Sequence, residues 1–296
     1  MRTFQQISAL RAYLRNLRQD KKTIGFVPTM GALHAGHLSL VQRSKGDCDI
    51  TVLSLFVNPA QFAPTEDLSK YPRELNRDMQ LTSNADVDAV FLPEIEEMYP
   101  SGFQTWVGVT ELSKPLEGEH RPTHYQGVAT IVTKLLNIVQ PDIAYFGQKD
   151  YQQFLVVERM VRDLNIPSAI QMVATVREAD GLAMSSRNVY LSPEERTAAT
   201  LLNRLIGIAS ERVQQGEPNP LTLKQDLERV MSQEPLAELD YVALVHPDTL
   251  QPVTGLQEEA TLLTLAIKIG KTRLIDNALL VPEGIPLPRP RISKPI

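Results

Sequence analysis

The sequence predicts an α/β protein: a Rossmann-like, doubly wound parallel sheet followed by a second, smaller α+β domain. Three observations carry that expectation. Short apolar runs alternate with amphipathic helical stretches from Thr23 to Val176. Glycine- or proline-bearing polar motifs fall just past several of those runs, where such sheets present ligand crevices. Beyond Val176 the pattern changes to helices followed by closely spaced strands.

In order, Met1–Gln19 carries Arg2, Arg11, Arg15 and Arg18 with no acid, the composition of a presequence. Ile7, Leu10, Leu14 and Leu17 nonetheless follow helical spacing, so an ordinary first helix is expected. Thr23–Val27, Ile50–Val57, Val87–Leu92, Asp142–Phe146 and Ile170–Val176 read as strands. Val128, Ile131, Val132, Leu135 and Val139 form one helical stripe, stopped by Gln140-Pro141. Tyr151–Leu164 is a further helix, ended by Asn165 and Pro167.

Ser192-Pro193-Glu194-Glu195 has the form of a capping box, opening a helix to about Gln215 before Gly216. A helix over Leu221–Met231 follows. Tyr241–Val245, Thr261–Ile269 and Thr272–Ile275 suggest a small antiparallel sheet. The expected division is 1–178, 179–280 and a tail, 281–296, whose five prolines suggest an extended arm or disorder.

The chain has 296 residues, about twice a typical domain, and 43% are hydrophobic. A single cysteine, Cys48, excludes an internal disulfide framework and a multi-thiolate zinc site, and fits a reducing, cytoplasmic setting. The net charge of −5 argues against general nucleic-acid binding. No apolar run approaches the roughly 20 residues that span a bilayer, so no membrane partner is expected.

Four motifs carry chemistry. Pro28–Leu38 (PTMGALHAGHL) follows a strand; its glycines allow a tight turn, and a helix opening at Ala35 attracts an anion. His34 and His37 share one face there, suited to phosphate oxygens; two ordinary surface histidines are the plain alternative. In Phe56–Phe62 (FVNPAQF), Asn58-Pro59 forces a turn, and Gln61 offers an amide to a hydroxyl or carboxylate. In Phe146–Gln153 (FGQKDYQQ), Lys149 offers a point charge, with Asp150 and Gln153 beside it; a polar turn capping a helix is the alternative. Met184–Asn188 (MSSRN) sets two hydroxyls beside a guanidinium, or is a polar interdomain loop. Together the four point to a nucleoside triphosphate.

PTMGALHAGHLSLV, FVNPAQF, Tyr71–Arg73 (YPR), HYQGVATIV, FGQKDYQQ and MSSRN occur in this order. With these motifs the chain resembles the pantothenate synthetase (pantoate–β-alanine ligase) family, over about residues 1–280. H-x-G-H alone indicates only the wider nucleotidylyltransferase and class I synthetase-like superfamily.

The resemblance implies an ATP- and pantoate-binding Rossmann-like domain, a lid-like second domain, a cytoplasmic homodimer and magnesium. It implies that pantoate's carboxylate attacks the α-phosphorus of ATP, and that β-alanine's amine then displaces AMP from pantoyl adenylate. Met30, Gly31, Ala32, Leu33, His34, Ala35, Gly36 and His37 would bind ATP, as would Gly147, Gln148, Lys149, Asp150, Val176, Met184, Ser185, Ser186 and Arg187. His37 is the leading catalytic candidate; His34, Lys149 and Arg187 would add charge around the pyrophosphate. Gln61 and Gln153 would hold pantoate, Gln61 would also meet β-alanine, and Asp78 would serve magnesium. The alternatives are another H-x-G-H nucleotidylyltransferase that keeps its adenylylated product, or a non-catalytic ATP sensor. A tRNA synthetase is disfavoured, because no basic anticodon-binding module follows.

Overall fold

The computed structural model describes residues 1–63, 68–286 and 292–293. These pack as two compact units. The first takes the described residues of Met1–Gly147, Gln152–Ala174 and Pro290–Ile296; the second takes Gln148–Tyr151 and the described residues of Thr175–Arg289.

The first unit is built on strands β1 (Arg2–Phe4), β2 (Ile24–Thr29), β3 (Ile50–Leu55), β4 (Ala89–Phe91), β5 (Ile143–Gly147) and β6 (Ala169–Val173). The second holds β7 (Ala237–Val245), β8 (Thr261–Ile269) and β9 (Thr272–Leu280), and the short β10 (Ile292–Ser293) returns to the first. The large sheet runs β1-β4-β3-β2-β5-β6-β10, parallel except for β10. Chain order therefore reverses between β2 and β5, the topological switch at which doubly wound sheets bind ligands.

Val27, Leu53, Leu55, Val90 and Tyr145 belong to one core cluster, with Leu40 and Val41 of helix Ala35–Asp47. Strand residues of the other parity, Ile24, Phe26, Val52 and Phe91, are equally buried. Both faces are covered, as alternation in a parallel sheet requires. β2 pairs with β3 as far as Thr29↔Leu55, but with β5 only at Gly25↔Ile143 and Phe26↔Ala144. Pro28 has no N–H to donate, and it sits past the pairing with β5, where a ladder bond is not required.

Helix Ile7–Gln19 buries Leu10 and Leu14, as its spacing predicts. The three-residue β1 ahead of it, pairing with β4, gave no period long enough to read. Helix His124–Val139 starts one turn earlier than its apolar stripe and ends in a left-handed Gln140 before Pro141.

In the second unit, β7, β8 and β9 form an antiparallel sheet. Leu263, Leu265 and Ile267 of β8 pack with Leu202, Leu205, Leu223 and Leu227 of the helices. The Ser192–Glu195 capping box is present, but its helix stops at Ala199 and a new one runs Leu201–Gln214. Strand β9 continues five residues past the expected Ile275.

The expected division after residue 178 and the observed packing differ. The chain passes into the second unit at Thr175, and Gln148–Tyr151 packs there too. No local pattern reveals this, because the bonds involved span more than a hundred residues. The tail was expected as an extended arm or disordered; Ile292–Ser293 is extended and pairs with Gln171 and Ile170 of β6. Residues 287–291 and 294–296 lie outside the described residues. No helix among the described residues is long and apolar enough to cross a membrane.

Candidate active site

Past Thr29 the backbone turns through Gly31 at φ 85° and Ala32 at φ 51°. A left-handed alanine costs about 1–2 kcal/mol, and the turn is held by a carboxylate. Asp78, 3% exposed in the first turn of helix Leu75–Asn84, accepts the N–H groups of Ala32 and Leu33 at 2.8 Å each, one per oxygen. A Cβ on Gly31 would lie 3.0 Å from Asp78 Oδ2, so both the positive φ and the close approach favour glycine. Asp78, expected at a metal, anchors the histidine turn. Both its oxygens are engaged by backbone, and no group of three or more His, Cys, Asp or Glu among the described residues is arranged to hold an ion.

The helix that follows is capped by its own histidines. His34, extended at φ −142°, accepts the Gly36 N–H on Nδ1 at 3.1 Å. His37 Nδ1 accepts the His34 N–H at 3.3 Å. This reproduces a capping box with imidazoles in place of hydroxyl and carboxylate. The rings lie 4.1 Å apart, tilted by 39°. A ring that accepts on Nδ1 carries its proton on Nε2. With Nδ1 accepting in both rings, the donor side of each imidazole is Nε2, and the helix end itself favours an anion.

The second motif is organised by Asn58, which is 1% exposed. Its Oδ1 accepts from Ala60 N at 3.3 Å and Tyr99 Oη at 2.8 Å. Its Nδ2 donates to Gln61 Oε1 at 3.1 Å and to the Gly127 carbonyl at 3.2 Å. All four bonds of the amide are made, which fixes the orientation of Gln61: Oε1 is engaged, and Nε2 faces Met30 Sδ at 3.1 Å, a weak acceptor. Helix His124–Val139 comes against this turn only because residue 127 is glycine; a Cβ would lie 2.2 Å from the Ala60 carbonyl oxygen. His124 Nδ1 lies 3.0 Å from the Gln61 carbonyl. Burial pushes the Tyr99 phenol up to about 12, so it stays a donor at neutral pH.

The two glutamines that open helix Tyr151–Asp163 differ. Gln152 is buried and spent on structure, donating to the Leu112 and Pro115 carbonyls and accepting from Glu117 N. Gln153 is half-buried.

Within the second unit, Gln148–Asp150 is one 3₁₀ turn, with Lys149 Nζ 3.9 Å from Asp150 Oδ1. Asn277 Nδ2 reaches the carbonyls of Gln148 at 3.0 Å and Lys149 at 2.8 Å. Val176 O accepts from Met184 N at 3.0 Å, joining two of the expected ATP residues. Ser185 Oγ caps the turn at Arg187 N, and Asn188 donates to Glu178 and the Ala183 carbonyl. The motif is a built loop rather than a loose linker.

The structure thus groups Met30 with Gln61, His34 with His37, and Val176 with Met184. The loops carrying the first two pairs leave the carboxyl ends of β2 and β3. With this geometry in hand, a family model described as pantoate-β-alanine ligase matches residues 2–279. The chain belongs to the pantoate–β-alanine ligase family. A pantothenate synthetase of Pelotomaculum thermopropionicum is 53% identical over 274 residues, 93% of this chain and 97% of the relative. The crystal structure of pantothenate synthetase from Thermus thermophilus superposes with a TM-score of 0.90 at 47% identity, covering 95% of this chain and all of the other. That of the Francisella tularensis pantoate-β-alanine ligase, complexed with β-γ ATP and β-alanine, gives 0.78 at 34% identity, with 94% and 97% covered.

Three residues hold these motifs in ways the sequence does not announce. The sequence marks Asn58 only as a turn former, while the structure buries its amide. Asp78 anchors the Ala32–Leu33 backbone, a bond pattern with no local signal. Asn277 stands in a strand with nothing local to mark it.

Proposed function

We propose that the chain condenses pantoate with β-alanine, cleaving ATP to AMP and pyrophosphate through pantoyl adenylate. The observation that carries this reading is the match to the ligase family along residues 2–279, with the paired histidines at the start of the first βα helix. The alternatives of a product-keeping nucleotidylyltransferase and an ATP sensor are not favoured, since relatives near half identity are pantothenate synthetases.

In the first step an oxygen of the pantoate carboxylate bonds to the α-phosphorus. The bond from that phosphorus to the bridging oxygen breaks, and the electron pair leaves on pyrophosphate. The carboxylate is already anionic at neutral pH, so no general base is needed. What is needed is placement and stabilisation of growing charge. His34 and His37 donate from Nε2, the helix N-terminus adds its dipole, and Lys149 and Arg187 supply full positive charge. Met30–His37, Gly147–Asp150, Val176 and Met184–Arg187 hold ATP in this proposal. Gln61 and Gln153 hold pantoate, and Gln61 also meets β-alanine. In the second step the neutral amine bonds to the acyl carbon, the carbon–oxygen bond to the adenylate breaks, and AMP leaves with that pair. The amine's surplus proton passes to solvent.

Asp78 does not fit as a magnesium ligand, and no step is routed through a metal. The proposal carries a homodimer and a cytoplasmic location with it, from the family resemblance. The test is product analysis with all three substrates. Pantothenate, AMP and pyrophosphate in equal amounts support it; AMP formed equally well without pantoate overturns it.

A further inference from the structure

Lys149 carries positive charge in the proposed reaction, and its turn is held from the far end of the sequence. The single Nδ2 group of Asn277 donates to two successive carbonyls, Gln148 at 3.0 Å and Lys149 at 2.8 Å. In an extended strand successive carbonyls point to opposite sides; one amide can reach both only when the peptides are turned the same way, as in the observed 3₁₀ turn. Asn277 is itself clamped. It is 4% exposed on β9, in register with Thr264. Asp276 Oδ1 accepts its backbone N–H at 2.8 Å. Asp276, 1% exposed, is gripped by both terminal nitrogens of Arg177, at 2.6 and 3.1 Å. Arg177 Nη1 also donates to the Gly181 carbonyl at 3.1 Å, tying the strand to the hairpin that precedes Met184–Arg187.

We infer that Asn277 is a positioning residue for Lys149: its amide locks the Gln148–Asp150 turn in the geometry that aims the lysine. This rests on the proposed role of Lys149 toward the ATP phosphates. The place calls for a donor. A carboxylate would set acceptors against two acceptors, and an alanine would leave both carbonyls without their donor.

The test is a double-mutant cycle with Asn277→Asp and Lys149→Ala, read by pantoate-dependent ATP–pyrophosphate exchange and by calorimetric titration with ATP. Circular dichroism and melting of each variant check the fold. The inference predicts that Asn277→Asp lowers kcat by ~10²-fold, as misplacement of a catalytic group by about an ångström does, or weakens ATP binding. The KM for pantoate stays within twofold. On the Lys149→Ala background the same substitution changes neither readout further. If Asn277→Asp fails to fold, Asn277→Ser, which keeps one donor, takes its place with a smaller loss. An equal loss on both backgrounds, or wild-type kinetics and binding for Asn277→Asp, overturns the inference. Wild-type protein that binds ATP but shows no exchange overturns the reaction assigned above, while the calorimetric cycle still decides the role of Asn277.

Discussion

His37 Nδ1 accepts the backbone N–H of His34 at 3.3 Å, so the residue proposed to face the phosphates is also a cap of the helix that presents it. Each ring spends its Nδ1 on the backbone of the helix start. The tautomer that results, with the proton on Nε2, is observable by ¹⁵N NMR. We expect both rings to show an unprotonated Nδ1 at neutral pH. His37→Asn keeps an acceptor near the position of Nδ1 and removes Nε2. It should fold normally and lower adenylation by ~10²-fold or more, the scale of one lost transition-state donor. Unchanged turnover would remove His37 from the mechanism.

Asp78 predicts a stability effect rather than a metal effect. Asp78→Ala leaves two buried N–H groups, those of Ala32 and Leu33, without an acceptor. A loss of about 2–6 kcal/mol follows from two unmet donors at about 1–3 kcal/mol each, measurable by urea denaturation. Added magnesium should not restore it. A variant as stable as wild type but unable to turn over would contradict the anchoring role.

The Asn58 network predicts a split between substrates. Asn58→Ala frees Gln61 Oε1 and removes the bond to Gly127. The KM for pantoate should rise by tenfold or more while that for ATP moves little. A rise confined to ATP would show that Gln61 does not hold pantoate.

Tyr99 predicts a pH effect with a definite sign. Burial raises its folded-state pKa to about 12 from the ordinary 10. The unfolded chain therefore loses this proton first. The contribution to stability is present in full below pH 10 and is lost as pH rises through 12. Tyr99→Phe should flatten part of the alkaline fall in stability between those values, seen in denaturation midpoints from pH 8 to 12. An identical fall in the variant would contradict this.

The α/β class and five strands of the large sheet were legible because burial on both faces leaves plain apolar runs, and turns need glycine and proline. β8 over Thr261–Ile269 coincides with its expected range. What sequence concealed was where long-range bonds override local pattern. Asp276 and Asn277 lie just past the strand expected to end at Ile275, yet both are buried and bonded to Arg177 and the Gln148–Lys149 carbonyls. The polar helix Leu75–Asn84 had no apolar stripe to announce it, and it supplies Asp78. Helix Pro193–Ala199 ends beside Thr200, whose hydroxyl bonds back to the Thr197 carbonyl at 2.7 Å, a break that continuous helical spacing did not show.

The adenylate is the centre of the account, and isotope exchange between pyrophosphate and ATP tests it most directly. In the absence of β-alanine, labelled pyrophosphate should enter ATP only when pantoate is present, and adding β-alanine should convert the bound intermediate to pantothenate and free AMP. Exchange that proceeds equally without pantoate, or AMP release that never depends on β-alanine, would contradict it.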